Sequence, residues 1–298
     1  ENDADYLHVL HRLLEAKRPR TALQCCQYEL ERVDAPQLHS MLKQFLAGEE
    51  PDGPRLNPWN LGEMLERLEK SNAIEKMALI QLEFGLFPAL GYGQEARANA
   101  LYAGVMTEPT IFTELICYVY KPEHGVRDEP ITDAIRAAAE TAWKILHACK
   151  QQPGAQKDGD IDHNAFTVFI DTARELCRHA DRLTMCEQTL GQILAHAPAD
   201  EDGTWPFLPA RDVLDRAELE EMRKGFVIGV HNKRGVTSRS PWDGGDQERH
   251  LAAHYRNHAE RVQYTHPNMA ATLEKIAKSY DNEGRREDVG ANLRKEGY

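Results

Sequence analysis

No stretch of this sequence approaches the run of about 18 consecutive apolar residues that a membrane-spanning helix needs, so no membrane partner is expected. Strand signals are nearly absent as well. Period-two alternation never lasts beyond a few residues, and the apolar pentad FVIGV (226–230) is the one candidate. It continues the helical pattern of DVLDRAELEEMRKGF and reads as the end of that helix. The six cysteines, at 25, 26, 117, 149, 177 and 186, form no CxxC and no paired metal-ligand spacing. Most lie among apolar residues, as in LICYVY and ILHACK, the pattern of reduced, buried thiols in a cytoplasm. GxSxG, GxxxxGK[ST] and a strand leading into GxGxxG are all missing. Carboxylates are plentiful, but in helices such as ELEEMRK they alternate with cations as solvated faces do. No catalytic residue and no cofactor is expected.

Positive charge is also in deficit. The 298 residues carry a formal charge of -12, a field that repels phosphate backbones at long range. With no interleaving of aromatic and basic residues, no nucleic-acid partner is expected. The opening ENDADYLHVL is acidic where a signal peptide would be basic. The chain starts at Glu1 without a methionine, as expected of a piece of something longer or of a processed product.

What is present is helical periodicity, nearly everywhere. DADYLHVLHRLLEAK places Tyr6, Leu7, Leu10, Leu13 and Leu14 on one face, and TALQCCQYELERV turns Ala22, Cys25, Cys26 and Leu30 inward, which makes an αα-hairpin. APQLHSMLKQFLAG, LGEMLERLEKS, AIEKMALIQLEFGLF, GQEARANALYAGVM, EPTIFTELICYVY and EPITDAIRAAAETAWKILHACKQQ follow, punctuated by turns. QQPGAQKDGD (151–160) is the best boundary. It divides an N-terminal helical array, 1–152, from a C-terminal helical region, 153–298, unless the two form one continuous domain. The expected fold is all-α, an α-solenoid or helical-repeat superhelix of antiparallel helix pairs, although no exact repeat period is found.

The combination of IEKMALIQLEFGLFPAL, TEPTIFTELICYVYKP, GQILAHAPADEDGTWP and RGVTSRSPWDGGDQER resembles the C-terminal region of large, uncharacterised multidomain bacterial proteins. That resemblance covers most of the chain. It implies a bacterial helical accessory region and assigns no chemistry.

Three segments invite a site. KDGDIDHNAF has part of a calcium loop, but the twelfth position would be Ala165 where a bidentate glutamate is required. It reads better as a turn, with Asp162 a helix cap, and PADEDGTWPFLP fails likewise. In HLAAHYRNH, His250, His254 and His258 recur every four residues on one helical face. The glutamate of HExxH is missing, and three ligands on one straight helix do not close around an ion. No metal is expected, with His254 and His258 as the pair to watch.

The third segment, 231–246, is long and mixed. Lys233, Arg234 and Arg239 supply cations, Thr237, Ser238 and Ser240 hydroxyls, and Gly235, Gly244 and Gly245 allow close backbone approach. GGDQER then opens a helix whose N-terminal amides favour an anion. Asp243 and Asp246 offer the opposite possibility, closing the loop by pairing with its arginines. Val236 and Trp242 are expected to anchor the loop, with the three cations outward. Three functions remain, the third being an enzyme whose site the sequence does not reveal. The first is a cytoplasmic interaction or regulatory region that binds a protein partner or a neighbouring domain of the same chain. The alternative is a small-anion or nucleotide-sensing domain using Lys233, Arg234, Thr237, Ser238, Arg239, Gly244 and Gly245.

Overall fold

The computed structural model describes residues 3–91, 93–125, 132–156, 160–235, 238, 240 and 242–296. Among these the chain is all-α, with fourteen α-helices, two short 3-10 turns and no strand. No described helix is long and apolar enough to cross a membrane. Two compact units divide between Val105 and Met106.

The first unit holds α1 (Asp3–Glu15), α2 (Pro19–Cys26), α3 (Ala35–Leu46), α4 (Pro58–Ser71) and α5 (Lys76–Leu90), and the division falls within α6 (Asn99–Thr107). The helix starts are written in the sequence. Asp34 accepts from Gln37 N at 2.7 Å and Asn57 from Trp59 N at 3.0 Å, each just before a proline at the start of its helix. Asn72 ends α4 in the left-handed region at φ 51°. Successive helices pack on one another, burying Leu10, Leu23, Leu38, Leu42, Leu65 and Leu86. Of the adjacent Cys25 and Cys26 only Cys26 is buried, because neighbours on a helix point about 100° apart. One buried acid stands out: the Glu83 carboxylate accepts from Leu101 N at 2.6 Å, at the start of α6.

The second unit contains α7 (Pro109–Val119), α8 (Asp133–Ala148), α9 (His163–His179), α10 (Leu183–Leu194), α11 (Leu208–Leu214), α12 (Glu220–Arg234), α13 (Asp246–Val262) and α14 (Pro267–Lys295). FVIGV lies inside α12 rather than at its end, and the helix runs on to Arg234. The single helix read across DVLDRAELEEMRKGF is two. Arg223 sits at the break and donates to the carbonyls of Leu214, Arg216 and Ala217 that the interruption frees. Of the segment 151–160, read as a boundary, the described residues 151–156 and 160 belong to this unit. The Gln152 side chain is buried and donates to Ile193 O at 3.0 Å, and Gly154 takes a φ of 72°.

Two helix pairs approach to backbone contact. Gly191 on α10 meets the Met222 carbonyl, and Gly225 on α12 meets the Gln188 carbonyl, so tightly that neither position has room for a β-carbon. A β-carbon on Gly229 would lie 2.7 Å from Gln192 Cα. Gly245 meets Gly284 in the same way where α13 crosses α14.

Candidate functional site

The α10–α12 crossing forms the floor of a cleft of about 360 Å³ in the second unit. That volume falls in the lower part of the usual small-molecule range of about 300–1,000 Å³. Trp143 and His147 come from α8, with Lys150 just beyond it; Thr189 and Gln192 come from α10, with His196 just beyond; Asn232 and Lys233 come from the last turn of α12. The lining holds two lysines and two histidines and no aspartate or glutamate. In a chain of charge -12, an acid-free lining with two lysines is opposite in formal charge to the chain as a whole.

The cations are available. Lys233 Nζ lies 5.8 Å from the centroid of the Trp205 ring and 3.4 Å from Ala195 O, a long hydrogen bond. Among the described residues neither Lys150 nor Lys233 has a carboxylate within 4 Å, and both are exposed. Burial holds His196 below its usual pKa, and the charges of Lys233 and Lys150 lower it further. Its imidazole is therefore neutral near pH 7, and a bound anion would raise it. Thr189 is 5% exposed, yet its hydroxyl has no hydrogen-bond partner. Buried polar groups are almost always satisfied, and each exception calls for an explanation. Here the hydroxyl belongs to a residue that lines the cleft.

The residues of the 231–246 segment part company. Lys233 joins the cleft, but Arg234 turns inward, correcting the reading that the cations point outward. Its guanidinium pairs with Glu248, which has no exposed surface, and with Glu283 at 3.1 Å, and it lies 5.4 Å from the Tyr280 ring centroid. The anion-binding start of α13 is filled by the protein itself. Gly245 N donates to Asp288 Oδ1 at 2.8 Å, and Arg249 holds the other Asp288 oxygen at 2.5 Å. Gly244 has no room for a β-carbon because Asp288 lies against it. Asp243 accepts from Ser240 N at 2.9 Å and Asp246 pairs with Arg249, so neither is spent on Arg234. Ser238 is exposed. Trp242 is 56% exposed and is not the buried anchor expected of it. Val236, Thr237 and Arg239 lie outside the described residues.

The histidines of α13 do a different job. The rings of His254 and His258 are 4.6 Å apart, but His258 Nδ1 accepts from Trp205 N at 3.3 Å and its ring packs edge-on to that indole. His250 is exposed. Among the described residues no three His, Cys, Asp or Glu side chains converge as metal ligands would. Asp162 caps α9 by accepting from Ala165 N at 2.9 Å, and Asp200 is held by Leu208 N and Arg211. One carboxylate of each calcium-like loop thus has a local duty.

No protein family, curated protein or solved structure matches the chain in comparison. The cleft is therefore read from its chemistry alone. Sequence inspection found Lys233 but none of its companions. The available signal was the spacing of Gly225 and Gly229 four residues apart, with Gly191 opposite, which marks a close helix crossing.

Proposed function

We propose that this chain is a non-catalytic, ligand-sensing helical region whose second unit takes a small anion in the cleft between α8, α10 and α12. The observation that carries this reading is the acid-free lining with two carboxylate-free lysines in a chain of net charge -12. This is the anion-sensing alternative moved off the loop, with Lys233 the residue common to both.

The same proposal holds the region to be regulatory within a larger bacterial, cytoplasmic protein, with a protein partner or a neighbouring domain of the same chain receiving the signal. The absence of a disulfide among the six cysteines supports a reducing compartment. A helical-repeat arrangement is proposed for the first unit, where α1 to α5 each contact the next helix. The skipped contacts α7 to α9 and α10 to α12 favour a closed bundle in the second.

Thermal unfolding with orthophosphate, pyrophosphate or sulfate tests the reading. Ligand that binds only the folded state raises Tm with concentration. The wild type should gain several degrees with at least one of these anions and the Lys150→Ala/Lys233→Ala double variant should gain none. Equal shifts in both proteins would sink the assignment.

A further inference from the structure

The cleft offers more than charge. Trp143 is 48% exposed, and its ring stacks on His147 with centroids 4.7 Å apart and planes 17° from parallel. A large indole left half in water gains nothing from folding alone. Held flat by a neighbouring ring, it is a platform for another planar group. Beyond the platform the lining changes character. Lys150 and Lys233 supply positive charge with no carboxylate within 4 Å among the described residues, and Gln192 and Asn232 supply carboxamides that donate and accept.

Each simpler ligand leaves part of this unused. A sugar phosphate would engage the lysines and leave Trp143 idle. An aromatic carboxylate would cover Trp143 but needs only one cation and no carboxamides. A planar, hydrogen-bonding ring joined to a multiply charged anion uses all of it.

We infer that the cleft binds a free mononucleotide, its base stacked on Trp143, its phosphate between Lys150 and Lys233, and its polar edge met by the carboxamides of Gln192 and Asn232. This rests on the anion reading above and narrows it. A nucleotide inside a polynucleotide presents the same base and phosphate, but the strand would also meet the field of a chain charged -12. The free molecule is the ligand that fits.

Calorimetric titration of the full chain with the four ribonucleoside 5′-monophosphates, ribose 5-phosphate, orthophosphate and a short single-stranded oligonucleotide separates the possibilities. At least one mononucleotide should bind about tenfold or more tightly than ribose 5-phosphate. Trp143→Ala should remove that preference while leaving ribose 5-phosphate binding unchanged. Trp143→Phe, which keeps a stacking face and guards against a folding defect, should retain most of it, and Trp242→Ala should have no effect. If the mononucleotides bind no better than ribose 5-phosphate, the nucleotide assignment falls and the anion site stands. If no compound binds, both fall. Tighter binding of the oligonucleotide than of every mononucleotide, or an unchanged preference in Trp143→Ala, would overturn the inference as well.

Discussion

Thr189 and Arg234 show how differently two polar residues within one unit are used. Arg234 is spent on structure, because its charge is sequestered with Glu248 and Glu283. Removing it strands a carboxylate in the interior, and breaking such a pair costs about 3–5 kcal/mol. Arg234→Ala should therefore melt early in calorimetry, whereas the exposed Lys233→Ala should change stability by less than about 0.5 kcal/mol. Equal losses would mean that Lys233 is structural too. Thr189 carries the reverse signature. Thr189→Val keeps the shape and deletes an unsatisfied hydroxyl, so stability should hold or rise by about 1 kcal/mol. A clear loss of stability by denaturant titration would show that the hydroxyl has a structural partner.

Glu83 gives the residue scale a pH dependence. Burial pushes its carboxyl up from the usual carboxylate range to about 7, against the lowering effect of the Leu101 amide. Between about pH 4.5 and 7 the folded chain keeps a proton that the unfolded chain releases, so raising the pH through this window costs stability. Glu83→Gln removes that dependence. Relative to the wild type it should gain on the order of 2–3 kcal/mol between pH 5 and pH 8, read from denaturant midpoints at each pH. Parallel profiles for the two proteins would show that Glu83 does not titrate in this range.

At the scale of elements, the glycine crossings decide the geometry of the cleft. A β-carbon at Gly225 would meet the Gln188 carbonyl and push α10 from α12. Gly225→Ala should cost about 1–3 kcal/mol or more, as overpacking does, and should weaken anion binding by distorting the floor. Gly290→Ala is the contrast: its nearest neighbour is the far end of Arg294 at 3.7 Å, so in the body of α14 it should be neutral or stabilising by up to about 1 kcal/mol. If the two alanine variants behave alike in thermal unfolding, backbone contact at the α10–α12 crossing is not what holds the pair.

These elements also show where sequence reading succeeds. Helices announce themselves through local signals, such as the caps at Asp34, Asn57 and Asp162 and the period of the leucines around Leu38 and Leu65. The end of α12 does not, because KRG fits a basic loop and the last turn of a helix equally well. About one further turn of helix, His231–Arg234, carries Lys233 to the cleft and Arg234 to the opposite environment. The cleft itself is assembled from residues between Tyr120 and Lys233, on helices whose packing no local pattern encodes. Trp143, Thr189 and His196 each look unremarkable in their own segments. Trp242 drew more attention because it stands alone among polar residues, but it is exposed in the structure.

At the scale of the whole molecule, a strongly acidic chain holds a cleft lined by two lysines and no carboxylate. His196 links that concavity to pH. Burial and the neighbouring lysines keep its folded pKa below the usual value, and an anion placed among those lysines would reverse their effect. Anion binding should then be accompanied by proton uptake and be tighter at pH 6 than at pH 8. Sulfate is the suitable probe, since it does not itself titrate there. The most direct measurement is calorimetric titration of the protein with pyrophosphate at pH 7 and about 0.1 M salt, beside the Lys150→Ala/Lys233→Ala variant. Exposed charges contribute little to folding, so the variant should remain folded and give no binding heat, while the wild type should saturate at one anion per chain. Identical isotherms from the two proteins, or no heat from either, would contradict the claim that this cleft is an anion site.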